Sequence, residues 1–168
     1  QTIARSAPDG ASLLVSSDNH TINPTLYADA GYKIDDLKPV AILMRGPSVI
    51  VVPANSPYTS LQALIDAAKA RPDTIAYGSA GIGTPSHIAG ELFARAAGIR
   101  LVHAPYRGSG PSLSDVAGGQ IPVAVATLVA ARPLIKAGKV RALAVTSKHR
   151  WPGAESIPAA SETGMPEY

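Results

Sequence analysis

Between residues 48 and 146, short apolar runs alternate with stretches of helical spacing, and this alternation narrows the fold more than any other feature of the chain. Residues 48–52, 75–79, 100–103, 122–126 and 140–146 each read as a strand bounded by Gly, Pro or polar turns. Between them lie amphipathic patterns. Thr59-Ser60 can cap a helix that carries Leu61, Leu64, Ile65 and Ala68 on one side. Residues 85–97 form a second, closed by Gly98, and residues 111–117 a third, closed by Gly118-Gly119. Residues 132–137 make a short fourth with Pro133 in its first turn. Strands without polar alternation, separated by helices, are covered on both faces and run parallel with right-handed crossovers. The predicted class is doubly wound α/β.

The first 47 residues are less regular. Residues 1–5 read as the last turn of a helix and Ala7-Pro8-Asp9-Gly10 as a turn. Residues 12–17 read as a buried strand, residues 18–24 as a polar loop, and residues 40–44 as a strand. Arg45-Gly46-Pro47 splits that last run from residues 48–52, as a hinge would.

With 168 residues, 46% of them hydrophobic, the chain has apolar material for a real core and the length of one domain, or one domain and part of another. The net charge of +3 is scattered, without the basic face that nucleic-acid binding needs. No apolar run approaches the ~20 residues that span a membrane. With no cysteine there is neither a disulfide nor a thiolate site.

In a doubly wound sheet, ligands sit outside the carboxyl ends of the strands. Here those ends are residues 16–20 (with Ser17, Asn19 and His20), residues 78–84, residues 106–110 and Thr127, all rich in hydroxyls or glycine. In GSAGIGTPSH, residues 78–87, Thr84 is an N-cap and Pro85 takes the first helical position. The free N–H groups of that first turn make an anion site worth about 0.3–1 kcal/mol when exposed. Gly81 and Gly83 admit a ligand close to the backbone, and Ser79 and Thr84 add hydroxyls. His87 either packs locally or donates one hydrogen bond. Tyr106-Arg107-Gly108-Ser109-Gly110-Pro111 repeats the design, so two helix N-termini aim at one place, and the ligand expected there is a small carboxylate.

Other motifs fail. The glycines at 78, 81 and 83 do not make GxGxxG, no Lys precedes Thr84 as in a P-loop, and Tyr77 breaks a nucleophile elbow around Ser79. The four histidines, His20, His87, His103 and His149, lack metal-site spacing, and nothing implies a cofactor. The loops hold almost no carboxylate beyond Asp18, so acid–base chemistry is poorly served. The site reads as one that binds without catalysis. A serine hydrolase using Ser79 with His87 or His20 is the contrasting reading.

Five stretches then carry a resemblance: Ala7-Pro8-Asp9-Gly10, His20-Thr21-Ile22-Asn23-Pro24-Thr25-Leu26-Tyr27, residues 77–84, His103-Ala104-Pro105-Tyr106-Arg107-Gly108 and residues 138–146. In this order they resemble the Bug family of extracytoplasmic solute receptors, which serve tripartite tricarboxylate transporters. The resemblance implies a two-lobed, periplasmic-binding-protein-like (type II) fold with a mainly parallel sheet, closing on a small organic acid. It implies a periplasmic location and membrane transporter subunits as partners. A receptor that presents its ligand to a signalling system would use the same cleft. Carried over, the second-lobe contacts are Ser79, Ala80, Gly81, Gly83 and Thr84 with His87 behind them. The Tyr106–Gly108 loop borders the cleft, and Ser17, Asn19 and His20 form the facing wall. Thr127 stands where the family often has Asp, which favours a ligand without an amino group. The implied division is residues 1–46 as part of a first lobe, 47–147 as a second lobe, and 148–168 as a segment returning toward the first. Family members are longer, so the chain is expected to be part of a larger protein and to self-associate, for instance by exchanging residues 1–45.

Overall fold

In the computed structural model, which describes residues 2–163 and 165, the alternating patterns become a five-stranded sheet of order β3-β2-β4-β1-β5. The strands are β1 (Ser48–Pro53), β2 (Ala76–Ser79), β3 (Val102–Pro105), β4 (Val123–Thr127) and β5 (Val140–Val145). The helices are α1 (Asn19–Leu26), α2 (Leu61–Ala70), α3 (Pro85–Ala97), α4 (Ser109–Ala117) and α5 (Leu128–Lys136). Caps set several boundaries as expected. Ser60 Oγ accepts from Ala63 N at the start of α2, Thr84 Oγ1 accepts from His87 N at the start of α3, and Gly98 closes α3.

The sheet is doubly wound, with one strand reversed. β2 pairs in parallel with β3 and β4, whereas β1 is antiparallel to both β4 and β5. The expectation of a parallel β1 is therefore corrected. Its run Val49-Ile50-Val51-Val52 is completely buried, and burial on both faces gives the same sequence pattern in either direction. Ile50 and Val52 pack with Leu61, Leu64, Tyr77 and Phe93 on the α2–α3 face. Val49 and Val51 pack with Leu113, Val116, Leu128 and Ala131 on the α4–α5 face. Each such side chain contributes about 1.5–3 kcal/mol when taken out of water, so β1 ties the two layers together. Ile157, Ala159, Ala160 and Met165 are buried against the same sheet, and Val145 N donates to Pro158 O at 2.9 Å.

Three boundaries move. β3 lies two residues later than residues 100–103, because parallel pairing sets Ala76 opposite Val102. α4 begins at Ser109 rather than at residue 111. α5 begins at Leu128 rather than Arg132, with Thr127 ending β4 and starting the helix at once, so Pro133 falls inside it.

The first 47 residues depart further. Residues 12–17 and 40–44 form no strand, and Leu13, Val15, Val40 and Met44 are 71–84% exposed. A β pattern becomes a strand only against a partner edge, and the described residues offer none there. The polar loop expected at residues 18–24 is instead the start of α1, despite Pro24. Proline lacks the N–H that would bond His20 O four residues back. Tyr32 donates its hydroxyl to that carbonyl at 2.8 Å and makes good the loss. The helical turn expected at residues 1–5 is a short 3-10 segment, Ile3–Arg5.

Candidate functional site

β3, β2 and β4 are neighbours, so the segments leaving their carboxyl ends lie side by side. The middle one, after Ser79, is held by its own hydrogen bonds. Ala80 N donates to Ser86 Oγ at 3.0 Å, Gly81 N to Ser79 Oγ at 3.1 Å, Gly83 N to His87 Nδ1 at 3.2 Å and Thr84 N to Gly81 O at 3.3 Å. Thr84 Oγ1 donates to Gly81 O at 2.6 Å. Gly81 has φ +126° and Gly83 φ +75°, conformations that side chains with a Cβ resist. The adjacent loop docks on this one through two backbone bonds, Tyr106 N to Ser79 O and Gly108 N to Ala80 O, each 3.1 Å. Ser79, Ala80, Gly81, Gly83, Thr84, His87, Tyr106 and Gly108 are thus one unit.

Side-chain roles within it differ from the sequence reading. The Tyr106 hydroxyl turns away to Asp115 Oδ2 at 2.7 Å, and this bond raises its pKa. Ser79 is fully buried beneath the loop, with its Oγ 2.6 Å from His103 Nε2. His103 therefore takes the place that the hydrolase reading gave to His87 or His20. A serine sealed in this way meets no substrate carbonyl. Burial and the neighbouring His87 ring hold His103 below the usual imidazole range, with Glu91 pulling the other way. The His103 ring stacks with those of His87 and Tyr77, with centroids 4.0 and 5.0 Å apart. Tyr77 donates to Glu91 Oε1 at 2.5 Å; its own burial first, and then Glu91, push its pKa up.

The helix ends also differ. At α3 the Thr84 side chain already serves as cap, and the loop amides are largely taken up. No side chain caps α4 at Gly108 or α5 at Thr127, and Thr127 is exposed. A side-chain cap is thus absent at α4 and α5, although Leu128 N, the first amide of α5, already donates to Pro47 O at 3.0 Å. Beside Thr127, Ser48 N donates to Thr146 Oγ1 at 3.0 Å, which brings Thr146 to the same edge.

The first-lobe candidates gather at the start of α1. Ser17 Oγ donates to Asn19 Oδ1 at 2.7 Å, and His20 Nδ1 lies 2.9 Å from Ser17 O. Asn19 and His20 line a hollow of about 360 Å³ with Ser16, Asn23 and Tyr32. α1 meets the loop at Gly83, where a Cβ would fall 2.7 Å from Leu26 Cδ2 and 3.5 Å from Asn23 Oδ1. His103, Thr146 and Asn23 were not among the predicted contacts. All three lay within the recognised stretches, His103 and Asn23 inside theirs and Thr146 at the end of residues 138–146, but no local signal marked them as contacts.

A doubly wound sheet whose strand ends carry glycine-rich turns and open helix N-termini is the architecture of a periplasmic-binding-protein lobe, and solved structures of such proteins superpose on it. The whole of residues 1–168 matches the model of the tripartite tricarboxylate transporter family receptors. The chain belongs to that family, which includes Bug proteins. It is 36% identical over 168 residues to a UPF0065 protein of Pseudomonas sp. strain P51, covering 99% of the chain and 50% of the relative. Protein BugT of Bordetella pertussis is 34% identical, covering 98% of the chain and 52% of BugT. Among solved structures, an R. palustris protein with adipate superposes with TM-score 0.92 at 34% identity, covering 99% of the chain and 56% of that protein. MatC from Rhodopseudomonas palustris with bound malate superposes at 0.88 and 28% identity, covering 98% and 57%. The chain spans about half the length of the curated relatives it matches.

Proposed function

We propose that this chain belongs to a periplasmic receptor that captures a small organic carboxylate and delivers it, unchanged, to the membrane subunits of a tripartite tricarboxylate transporter. The observation that carries the reading is the shared edge of β3, β2 and β4, where the α4 and α5 N-termini lack side-chain caps beside a glycine-rich loop. Each such end favours an anion by about 0.3–1 kcal/mol, and more when partly buried. Neighbours of known structure hold adipate and malate, and two are described as periplasmic.

In this reading Ala80, Gly81, Gly83, Thr84 and His87, the Tyr106–Gly108 loop and Thr127 form the second-lobe wall, with Ser79 supporting it from beneath. Ser17, Asn19 and His20 belong to the facing wall. Residues 1–46 are part of the first lobe and 47–147 the body of the second. The segment after residue 147 begins the return, although Ile157 to Ala160 already pack on the second-lobe sheet. The exposed apolar residues Leu13, Val15, Ile42 and Leu43 support self-association of this chain. Sedimentation as a monomer at every concentration would count against that part.

The test is thermal unfolding with adipate, malate, citrate and the uncharged diamide of adipate. At a hundred times its Kd a carboxylate adds about 2.7 kcal/mol. At about 2–4 °C per kcal/mol for a chain of this size, the melting temperature rises by about 5–11 °C. The diamide should have no effect. An equal shift with the diamide, or none with any small carboxylate, would overturn the reading.

A further inference from the structure

His103 sits within β3, yet the loop that follows β2 hangs on it. Its Nε2 lies 2.6 Å from Ser79 Oγ, and that oxygen in turn accepts from Gly81 N at 3.1 Å. Its ring stacks with His87, centroid to centroid 4.0 Å, at an interplanar angle of 22°. His87 accepts the Gly83 amide at Nδ1, 3.2 Å away. That bond assigns the tautomer: Nδ1 is bare, and the ring proton sits on Nε2, 3.9 Å from Glu91 Oε1. Both glycines that give the loop its shape are thus tied to an imidazole, Gly81 through Ser79 and Gly83 directly.

We propose that His103 and His87 are positioning residues of the receptor loop, which hold the Gly83 turn in its ligand-ready form while both rings are neutral and release it when His87 takes a proton, so that ligand is retained at neutral pH and let go in acid. The ligand part rests on the receptor reading above; the loop part does not.

The chemistry follows from the donor count. A protonated His87 carries N–H at both ring nitrogens. Its Nδ1–H would then face the Gly83 N–H, two donors 3.2 Å apart, and the bond would become a repulsion. Three titratable groups face His87 from the elements packed on it. Glu91 on its own helix favours the cation. Tyr77 on β2 is committed to Glu91. His103 on β3 opposes a second charge across the stack. From α1, Asn23 and Leu26 approach Gly83, and neither titrates. Burial and the His87 ring lower the His103 pKa and so favour the neutral ring that meets Ser79. Unperturbed imidazoles change charge between about pH 5 and 8.

The first experiment is proton–nitrogen NMR of the chain from pH 8 to 5. The expected result is a His87 ring bare at Nδ1 at pH 7.5, with the amides of residues 80–84 shifting together at the midpoint of the His87 titration. In His87→Asn, whose Oδ1 can accept the Gly83 amide without titrating, those amides should stay still. His103→Gln, which offers Oε1 to Ser79, should retain the shift of the Gly83 amide. A proton on Nδ1 of His87 at pH 7.5, or loop amides that ignore its titration, would overturn the proposal. The second experiment measures adipate affinity at pH 7.5 and 5.5. A single competing proton weakens binding by up to tenfold per pH unit, so over these two units the wild-type ratio should exceed that of His87→Asn, by at most about a hundredfold. Equal ratios would sink the proposal, since adipate's own titration is common to both proteins. Absence of adipate binding at pH 7.5 would count against the receptor reading's ligand class, and the NMR titration alone would then decide the loop proposal.

Discussion

Replacing Gly90 by alanine pits helix propensity against packing, and the structure decides which wins. Gly90 lies within α3, where Gly→Ala ordinarily stabilises by about 0.8–1 kcal/mol. A Cβ built there falls 2.4 Å from Tyr77 Cε2 and 2.7 Å from Cζ. The Tyr77 ring has no route of retreat: it is fully buried, stacks with His103 at 5.0 Å and donates to Glu91 at 2.5 Å. Overpacking of this kind costs about 1–3 kcal/mol. If the ring turns instead, a hydrogen bond to a carboxylate worth about 1.5–3 kcal/mol is strained or lost. Subtracting the propensity gain leaves a net destabilisation of up to about 2 kcal/mol. Urea unfolding measures it as a lower midpoint at unchanged slope. Combining Gly90→Ala with Tyr77→Leu, which removes the ring, should recover part of the loss as a favourable coupling. Stabilisation of the single variant by about 1 kcal/mol would refute the argument, because it would mean that the ring yields freely and that Gly90 is there for no packing reason.

Two further outcomes follow from the same region. Gly81→Ala forces a side chain onto a backbone with φ +126°, with its Cβ 3.1 Å from Tyr106 O, and should destabilise by about 1–3 kcal/mol in urea unfolding; a neutral result would show that the loop has another conformation open to it. Because the folded state lowers the His103 pKa, the unfolded chain binds the extra proton first, so this stabilisation is complete above about pH 6.5 and is lost as pH falls below it. The urea midpoint of the wild type should drop between pH 7 and 5 more than that of His103→Gln, and parallel curves would contradict it.

The parts of the fold that sequence revealed are those whose causes are local. Ser60, Thr84-Pro85 and Gly98 mark helix ends through chemistry contained within one turn, and α2 and α3 appear there. The direction of β1 was hidden, because an apolar run buried on both faces reads alike in either sense. The strand patterns at residues 12–17 and 40–44 were legible as patterns, but a strand is a property of two segments, and the described residues supply only one. α1 was obscured by Pro24, whose cost is met by Tyr32, eight residues further on. The site divides in the same way. Its glycines, hydroxyls and cap lie in one stretch, whereas the Ser79–His103 contact spans 24 positions and arises only from the parallel register that sets Tyr77 opposite His103.

That register also bears on how a ligand would be held. The amides of Ala80, Gly81, Gly83 and Thr84 already have acceptors within the loop, so the loop keeps its shape without help from an anion. A carboxylate arriving at this edge meets a preformed surface and loses little affinity to ordering it. By the same token it cannot draw its main donors from those amides without breaking bonds that hold the turn. Further donors lie at the starts of α4 and α5, which lack side-chain caps, although Gly108 N and Leu128 N are themselves bonded to Ala80 O and Pro47 O. On the receptor reading proposed above, the glycine-rich loop acts through shape: Gly81 and Gly83 keep side chains out of the approach, and hydrogen bonds to Ser79 and His87 fix the two glycines. Loop substitutions should therefore change affinity by displacing the wall, and substitutions at the α4 and α5 starts by removing donors.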